Sequence, residues 1–317
     1  MSKSKIDVKT LFSRYGIILV MIGLMVLFSI LSPVFFTFNN LITVCRQVSM
    51  IGIASVGGMF VMLIGGIDLT QGALVSFVNI LAAYLMTKAG MNMWVVIIIC
   101  VIAGALVGYI NGLLVSILNI PALIATLATQ NIFYGVAYLI CGGQTISGFT
   151  KAFKVFGQGY VGPIPVPVIF MVAFFVLGGF ILKKTYFGRS FYALGGNAEA
   201  AKLSGINVER TKRMVYMLSG LFAGIAGIIM LSRVNSGQAN TGNGFEFDVI
   251  TAIVLGGISV AGGAGRLYNA IVGVLIIGML NNGLVLINMS EYWQMIIKGV
   301  ILAIAVGIDC VQKKNKG

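Results

Sequence analysis

Histidine is absent from this 317-residue chain. That absence removes imidazole acid–base chemistry, Ser-His-Asp triads, His-ligated metals and His proton relays. Charge is nearly as scarce: only 9% of residues are charged, against about 25% in a soluble domain. Acids are the rarer sign, eight against 21 Lys and Arg. Carboxylates inside a membrane are the usual mark of proton or sodium coupling. Here Asp68 is the one acid at a glycine-flanked turn between two apolar runs, while Glu246, Asp248, Glu291 and Asp309 fall near run ends. Asp68 is read first as a structural carboxylate that caps the next helix or accepts backbone N–H groups, ahead of a coupling-ion site. No G-x-x-x-x-G-K-[ST] stretch and no Gly-Lys pair occurs, so no P-loop is expected and the chain is not read as an enzyme. The four cysteines, Cys45, Cys100, Cys141 and Cys310, lie far apart without C-x-x-C spacing. They read as small buried hydrophobes, and neither a metal nor a cofactor is expected.

What the chain has is apolar surface. Hydrophobic residues make up 59%, and the mean hydropathy is +1.03. A bilayer can cover that much apolar area, whereas a water-soluble fold of this length cannot. A span needs about 20 apolar residues. Candidate spans are 16–32, 41–64, 69–87, 94–118, 120–141, 165–182, 214–232, 247–261, 267–287 and 292–309. The run 247–261 is the weakest, being short and rich in glycine. The fold class expected is an all-α polytopic membrane protein of about ten helices. The first run follows Lys3, Lys5, Lys9 and Arg14 but continues to Ser32-Pro33 without an A-x-A-like site, so it reads as an uncleaved span rather than a signal peptide.

The net charge of +13 sits between the apolar runs, which points to orientation in the membrane rather than to nucleic acid. Lys and Arg concentrate in the N-terminal arm, in loop 183–213, at Arg266 and in the tail (Lys313, Lys314, Lys316). Fewer lie on the other side, at Arg46, Lys88, Lys151, Lys154 and Arg233. An even span count with both termini cytoplasmic fits this bias.

Two further patterns concern packing. Gly65–Ala73 and Gly256–Ala264 match at five of nine positions, each between apolar runs. Duplicated transporter halves leave such echoes, and so do two glycine turns solving one steric problem. Gly104, Gly108 and Gly112 on one run, and Ser219, Ala223 and Gly227 on another, let helices approach closely. Uncharged polar residues inside the spans (Asn79, Asn111, Thr126, Thr129, Gln130, Asn131, Asn281, Asn282 and Gln294) suit a hydroxylated solute by hydrogen bonding. They serve equally as bonds between helices. Lys298 lies in the last span. It either snorkels to the outer interface, pairs with a buried carbonyl or Asp, or lines a pore.

Loop 183–213 is the most informative stretch. Asn197 can N-cap a short helix, Ala198-Glu199-Ala200-Ala201-Lys202-Leu203, with Glu199 and Lys202 at the ends that suit the helix dipole. Ser204-Gly205 ends it, and Asn207 can cap the next element. Gly195-Gly196 reads as a flexible or tightly turned entry. A short capped helix between turns suits insertion into a groove on a partner.

Here the chain resembles the ribose-type branch of ATP-binding-cassette importer permeases. Gly188–Val208 resembles that family's coupling segment. The likeness extends over nearly the whole chain, through Leu31-Ser32-Pro33, Phe35–Leu41, Gly66–Thr70, Ile124–Leu127, Val254–Gly263 and Leu280–Leu284. The resemblance implies a single permease domain, 1–317, of the type II importer fold in a bacterial plasma membrane. It implies pairing with a second copy, and two cytoplasmic ATP-binding subunits or one tandem ATPase chain docked on Asn197–Gly205. It also implies an extracytoplasmic sugar-binding protein, for which the outer segment Arg233–Glu246 is the expected docking site. The cargo expected is a monosaccharide, ribose or a related sugar. An ion-coupled secondary transporter would need more acids in the bundle than Asp68, and an intramembrane enzyme would need chemistry the chain lacks. Neither accounts for the coupling-like loop.

Overall fold

The computed structural model describes residues 8–314; Lys3, Lys5 and Lys316, counted above toward orientation, lie outside them. In chain order the helices are α1 (Val8–Leu31), α2 (Phe38–Leu63), α3 (Thr70–Thr87), α4 (Met93–Ser116), α5 (Ala122–Cys141) and α6 (Lys151–Gln158). A two-strand hairpin follows, β1 (Tyr160–Val161) with β2 (Ile164–Pro165). Then come α7 (Val166–Lys184), α8 (Tyr186–Gly196), α9 (Ala198–Leu203), α10 (Val208–Val234), α11 (Phe245–Leu255), α12 (Leu267–Leu286) and α13 (Glu291–Lys314). Nine of the ten expected runs coincide with helices along nearly their whole length, and 247–261 is helical only up to Leu255. Eight of these, α2–α5, α7, α10, α12 and α13, are long and apolar enough to cross a membrane, and α1 adds the apolar stretch Gly16–Leu31.

Side-chain caps set several helix starts. Thr37, Asn92, Thr150 and Thr185 each accept an N–H from the first turn of α2, α4, α6 and α8, satisfying donors the helix leaves open. Asn235 and Gly142 end α10 and α5 in the left-handed conformation. Helix α2 is the hub and is mostly buried, whereas α13 is almost wholly uncovered and α4, α5 and α7 expose broad apolar faces. Such faces suit lipid.

The most extensive helix contact is α4 on α10. A Cβ on Gly108 would lie 2.2 Å from the Tyr216 carbonyl oxygen, and one on Gly104 would lie 2.7 Å from that of Gly220. Gly112 abuts Arg213, and Gly227 faces Val75 and Val78 of α3. The glycine spacing therefore marks real backbone contact, as the small-residue pattern suggested.

The eighth run, 247–261, departs from expectation. Helix α11 holds only 11 residues, about 16 Å at 1.5 Å per residue, half of a hydrocarbon core about 30 Å thick. The other half of that crossing is the non-helical segment 236–244, which descends along α3. A Cβ on Gly237 would touch Ala83. The Gln238 N–H donates to Asn79 Oδ1 at 3.1 Å, and the Gly242 N–H to Ser76 Oγ at 2.9 Å. Tyr134 donates its hydroxyl to the Gly242 carbonyl at 2.9 Å, and Gly242 packs on Gly72. Positions 83, 79, 76 and 72 descend one helical face turn by turn. Irregular backbone is tolerated at membrane depth only when protein satisfies its polar groups, and α3 and α5 do so here.

Candidate functional site

Loop 183–213 is built as its residues suggest. The Asn197 side chain accepts the Ala200 N–H at 2.9 Å. At the other end Gly205, at φ +84°, lets the Gly205 N–H reach the Lys202 carbonyl and the Ile206 N–H reach that of Ala201, a Schellman arrangement. Asn207 accepts the Arg210 N–H at 2.9 Å to open α10. Of 198–205 only Ala201 is buried, at 4% exposure, while Leu203 is 90% exposed. Ala201 thus packs on its own chain. The apolar knob offered outward is Leu203.

Gly195 and Gly196 are not a flexible entry. They are the last two residues of α8, and that end is pressed into the body. Phe191 is fully buried against Phe60 of α2, with ring centroids 5.5 Å apart. Tyr192 donates its hydroxyl to the Gly265 carbonyl at 2.9 Å. A Cβ on Gly195 would lie 1.8 Å from the Leu63 carbonyl oxygen and 2.4 Å from the Gly263 nitrogen. Those two atoms are hydrogen-bonded to each other at 2.9 Å. The two echoing glycine turns therefore meet: 64–69 links α2 to α3, 256–266 links α11 to α12, and Gly262 abuts Gly65. Each turn leans on a carboxylate. Asp68 accepts the Thr70 N–H at 3.0 Å. In the second turn Ser259 stands at the place of Asp68, and Asp309 of α13 accepts the Val260 N–H at 3.0 Å and the Ser259 hydroxyl at 3.2 Å.

Asp68 heads a buried network joining five elements. It accepts the hydroxyls of Thr70 and, at 2.7 Å, Ser219 of α10. Gln71 donates to Ser219 Oγ at 2.9 Å, Asn111 to Thr70 Oγ1 at 3.0 Å, and Thr129 to Asn111 Oδ1 at 2.7 Å. Thr126 bonds the Ala122 carbonyl within α5 and lies beside the Ile67 carbonyl. Among the described residues Asp68 has no cationic partner; the one ion pair joins Lys298 and Asp248 at 3.1 Å. Of the readings open for Lys298, pairing with a buried Asp is the one observed. Asn281 also donates to Asp248, at 3.0 Å, and Asn282 exchanges amide bonds with Asn40 at 2.9 and 3.0 Å. Gln294 bonds the Met289 carbonyl. Lys298, Asn281 and the Asn40–Asn282 pair tie helices together, whereas the Gln294 bond is local to the start of α13. Asn131 differs. It is exposed on the open face of α5, bonded only to the Leu127 carbonyl.

The outer segment Arg233–Glu246 needs correction. Arg233 is half-buried at the end of α10, where its backbone meets Gly157 of α6. Glu246 is 3% exposed and accepts from Gln130 at 2.8 Å. Its carboxylate lies inside the bundle because segment 236–244 folds inward, so Glu246 presents no docking surface.

A family model described as the branched-chain amino acid transport system / permease component matches residues 40–306. The chain belongs to that permease family. It is 42% identical to the ribose import permease protein RbsC of Bacillus subtilis (strain 168), over 90% of this chain and 89% of that protein. Identity to RbsC of Escherichia coli (strain K12) is 41%, over 91% and 92%. The L-arabinose transport system permease protein AraH of Escherichia coli (strain K12) is 36% identical over 99% and 95%. No solved structure matches the chain. Family membership and the many apolar helices make this a multi-pass membrane permease, as the sequence implied.

Proposed function

We propose that the chain is the membrane subunit of a bacterial importer for a monosaccharide, driven by ATP hydrolysis in a partner. It is a single permease domain with 183–213 as its coupling loop. Ribose is the leading cargo, because relatives aligned over most of the chain are named for ribose and L-arabinose transport. The observation that carries the coupling role is Leu203: an aliphatic side chain 90% exposed on a helix capped at both ends. Water penalises that exposure, and a groove on an ATP-binding subunit would relieve it. Two such subunits, or one tandem chain, dock there. Their closure is passed from α9 and α8 through the Gly195 contact into both glycine turns, and so to the ends of α2, α3, α11 and α12. A second copy of the chain completes the pore along the open face of α5. There Asn131 is a polar group that bare lipid would not satisfy. An extracytoplasmic sugar-binding protein docks on the opposite surface, around α6 and Arg233.

The test is copurification of the ATP-binding subunits together with sugar taken up per ATP hydrolysed. Leu203→Glu and Gly205→Val should each insert normally yet lose attachment, or keep attachment and lose coupling. Full copurification and wild-type efficiency in both variants would remove 197–205 from the coupling role. Uptake of a labelled pentose and hexose panel by the assembled complex identifies the cargo.

A further inference from the structure

We propose that the groove between α7 and α12 is a binding site for an anionic phospholipid of the leaflet into which the coupling loop projects. The proposal uses only the cytoplasmic placement of that loop from the functional reading. The groove encloses about 490 Å³. Its walls are apolar: Met171, Phe175, Gly179 and Leu182 on α7, Leu267 and Ile271 on α12. Both its cations lie at one end, Lys183 on the last turn of α7 and Arg266 just before α12, and no Asp or Glu lines it.

Length fits one acyl chain. Met171 to Leu182 spans about 16 Å at 1.5 Å per helical residue, which is half of a hydrocarbon core about 30 Å thick and hence one leaflet. Depth comes from Gly179. A Cβ there would meet only Leu267 Cδ2, at 3.7 Å, whereas its neighbour Gly178 is closed against Val56 at 2.6 Å. Gly178 seats α7 on α2, and Gly179 leaves the floor open.

The charged end is prepared for a phosphodiester. Lys183 and Arg266 are both exposed, and neither has a carboxylate partner among the described residues. Arg266 donates one N–H to the Tyr268 hydroxyl at 2.7 Å and lies 5.9 Å from the centre of that ring. Its other donors remain available, since a guanidinium has five. The Tyr192 bond to Gly265 fixes the turn that carries Arg266. Two cations, one on the last turn of α7 and one just before α12, above an apolar slot suit an anionic lipid head, and a zwitterionic head adds an ammonium that they repel. A bound lipid would join the α7–α8 corner to the start of α12, beside the contact through which coupling is proposed to pass.

Native mass spectrometry of the purified full chain, delipidated and supplied with dioleoyl phosphatidylglycerol or dioleoyl phosphatidylcholine, tests this without any transport partner. Phosphatidylglycerol should be retained at least tenfold better. Lys183→Gln with Arg266→Gln should abolish that preference. Gly179→Leu should lower retention of phosphatidylglycerol, and Lys151→Gln with Lys154→Gln, on α6, should leave it unchanged. The thermal midpoint with each lipid separates lost binding from a damaged fold: groove variants should match the wild-type midpoint in phosphatidylcholine and lack its rise in phosphatidylglycerol. Equal retention of both lipids by the wild type, or unchanged preference in the double Gln variant, overturns the proposal. So does dissociation of a dimer by Gly179→Leu with lipid retention intact, which would mean a second copy fills the groove. None of these results bears on whether the chain carries sugar.

Discussion

Gly195 and Gly196 are adjacent, chemically identical and both helical, yet the structure gives them opposite tolerance. A methyl on Gly195 would enter the hydrogen bond between the Gly263 nitrogen and the Leu63 carbonyl, lying 2.4 and 1.8 Å from those atoms. Ordinary contact needs about 3.5 Å, so the end of α8 must retreat by roughly 1–2 Å. Overpacking costs about 1–3 kcal/mol. A separated hydrogen bond adds about 0.5–1.5 kcal/mol, and better helix propensity returns up to about 1 kcal/mol. Gly195→Ala should therefore destabilise the chain by about 1–3 kcal/mol. A methyl on Gly196 meets nothing within 4 Å, so Gly196→Ala should be neutral or slightly stabilising. Thermal unfolding of the purified chain reads the first effect. Uptake per ATP hydrolysed in the reconstituted complex reads the second, and it should fall for Gly195→Ala even below the unfolding midpoint. Identical midpoints and identical coupling in the two variants would refute both the steric argument and the route proposed for transmission.

Asn282→Leu should cost about 1–3 kcal/mol, because Asn40 loses both bonds to that residue and keeps only the one it donates to the Phe35 carbonyl, and adding Asn40→Leu should restore part of it; a double-mutant cycle on unfolding midpoints checks the coupling. Lys298→Met should leave Asp248, 11% exposed, without its cation. Breaking a buried pair costs about 3–5 kcal/mol, and the 28% exposure of Lys298 places this one at or below the lower end; further change of Asp248→Asn should recover stability. Asp68→Asn should reduce stability modestly, because the Ser219 hydroxyl can turn to accept while the Thr70 bonds persist. It should alter no ion dependence: complex in liposomes should import sugar on ATP alone, and an absolute sodium or proton requirement would count against the ATP-driven reading.

Hydropathy by itself placed nine of the ten runs, eight full spans and the apolar stretch of α1, because a membrane helix satisfies its own backbone and its length is set by the bilayer; the run 247–261 proved helical over only half a span. Local chemistry was equally legible. Asn197, Gly205 and Asn207 act on groups within a few residues of themselves, and Asp68 accepts the N–H two positions on. The glycine spacing of α4 announced close approach without naming its partner, which only the crossing with α10 supplied. Other features rest on groups far apart in the chain, which no local pattern encodes. Lys298 and Asp248 are 50 positions apart, and Asn40 and Asn282 are 242 apart. Segment 236–244 looked like an outer loop because it is polar and glycine-rich. Those same residues let it lie against α3 and hydrogen-bond there, which carries Glu246 inside. Ala201 and Leu203 are both ordinary helix formers in the sequence. Only the way α9 rests on the body decides that one faces inward and the other is left for a partner.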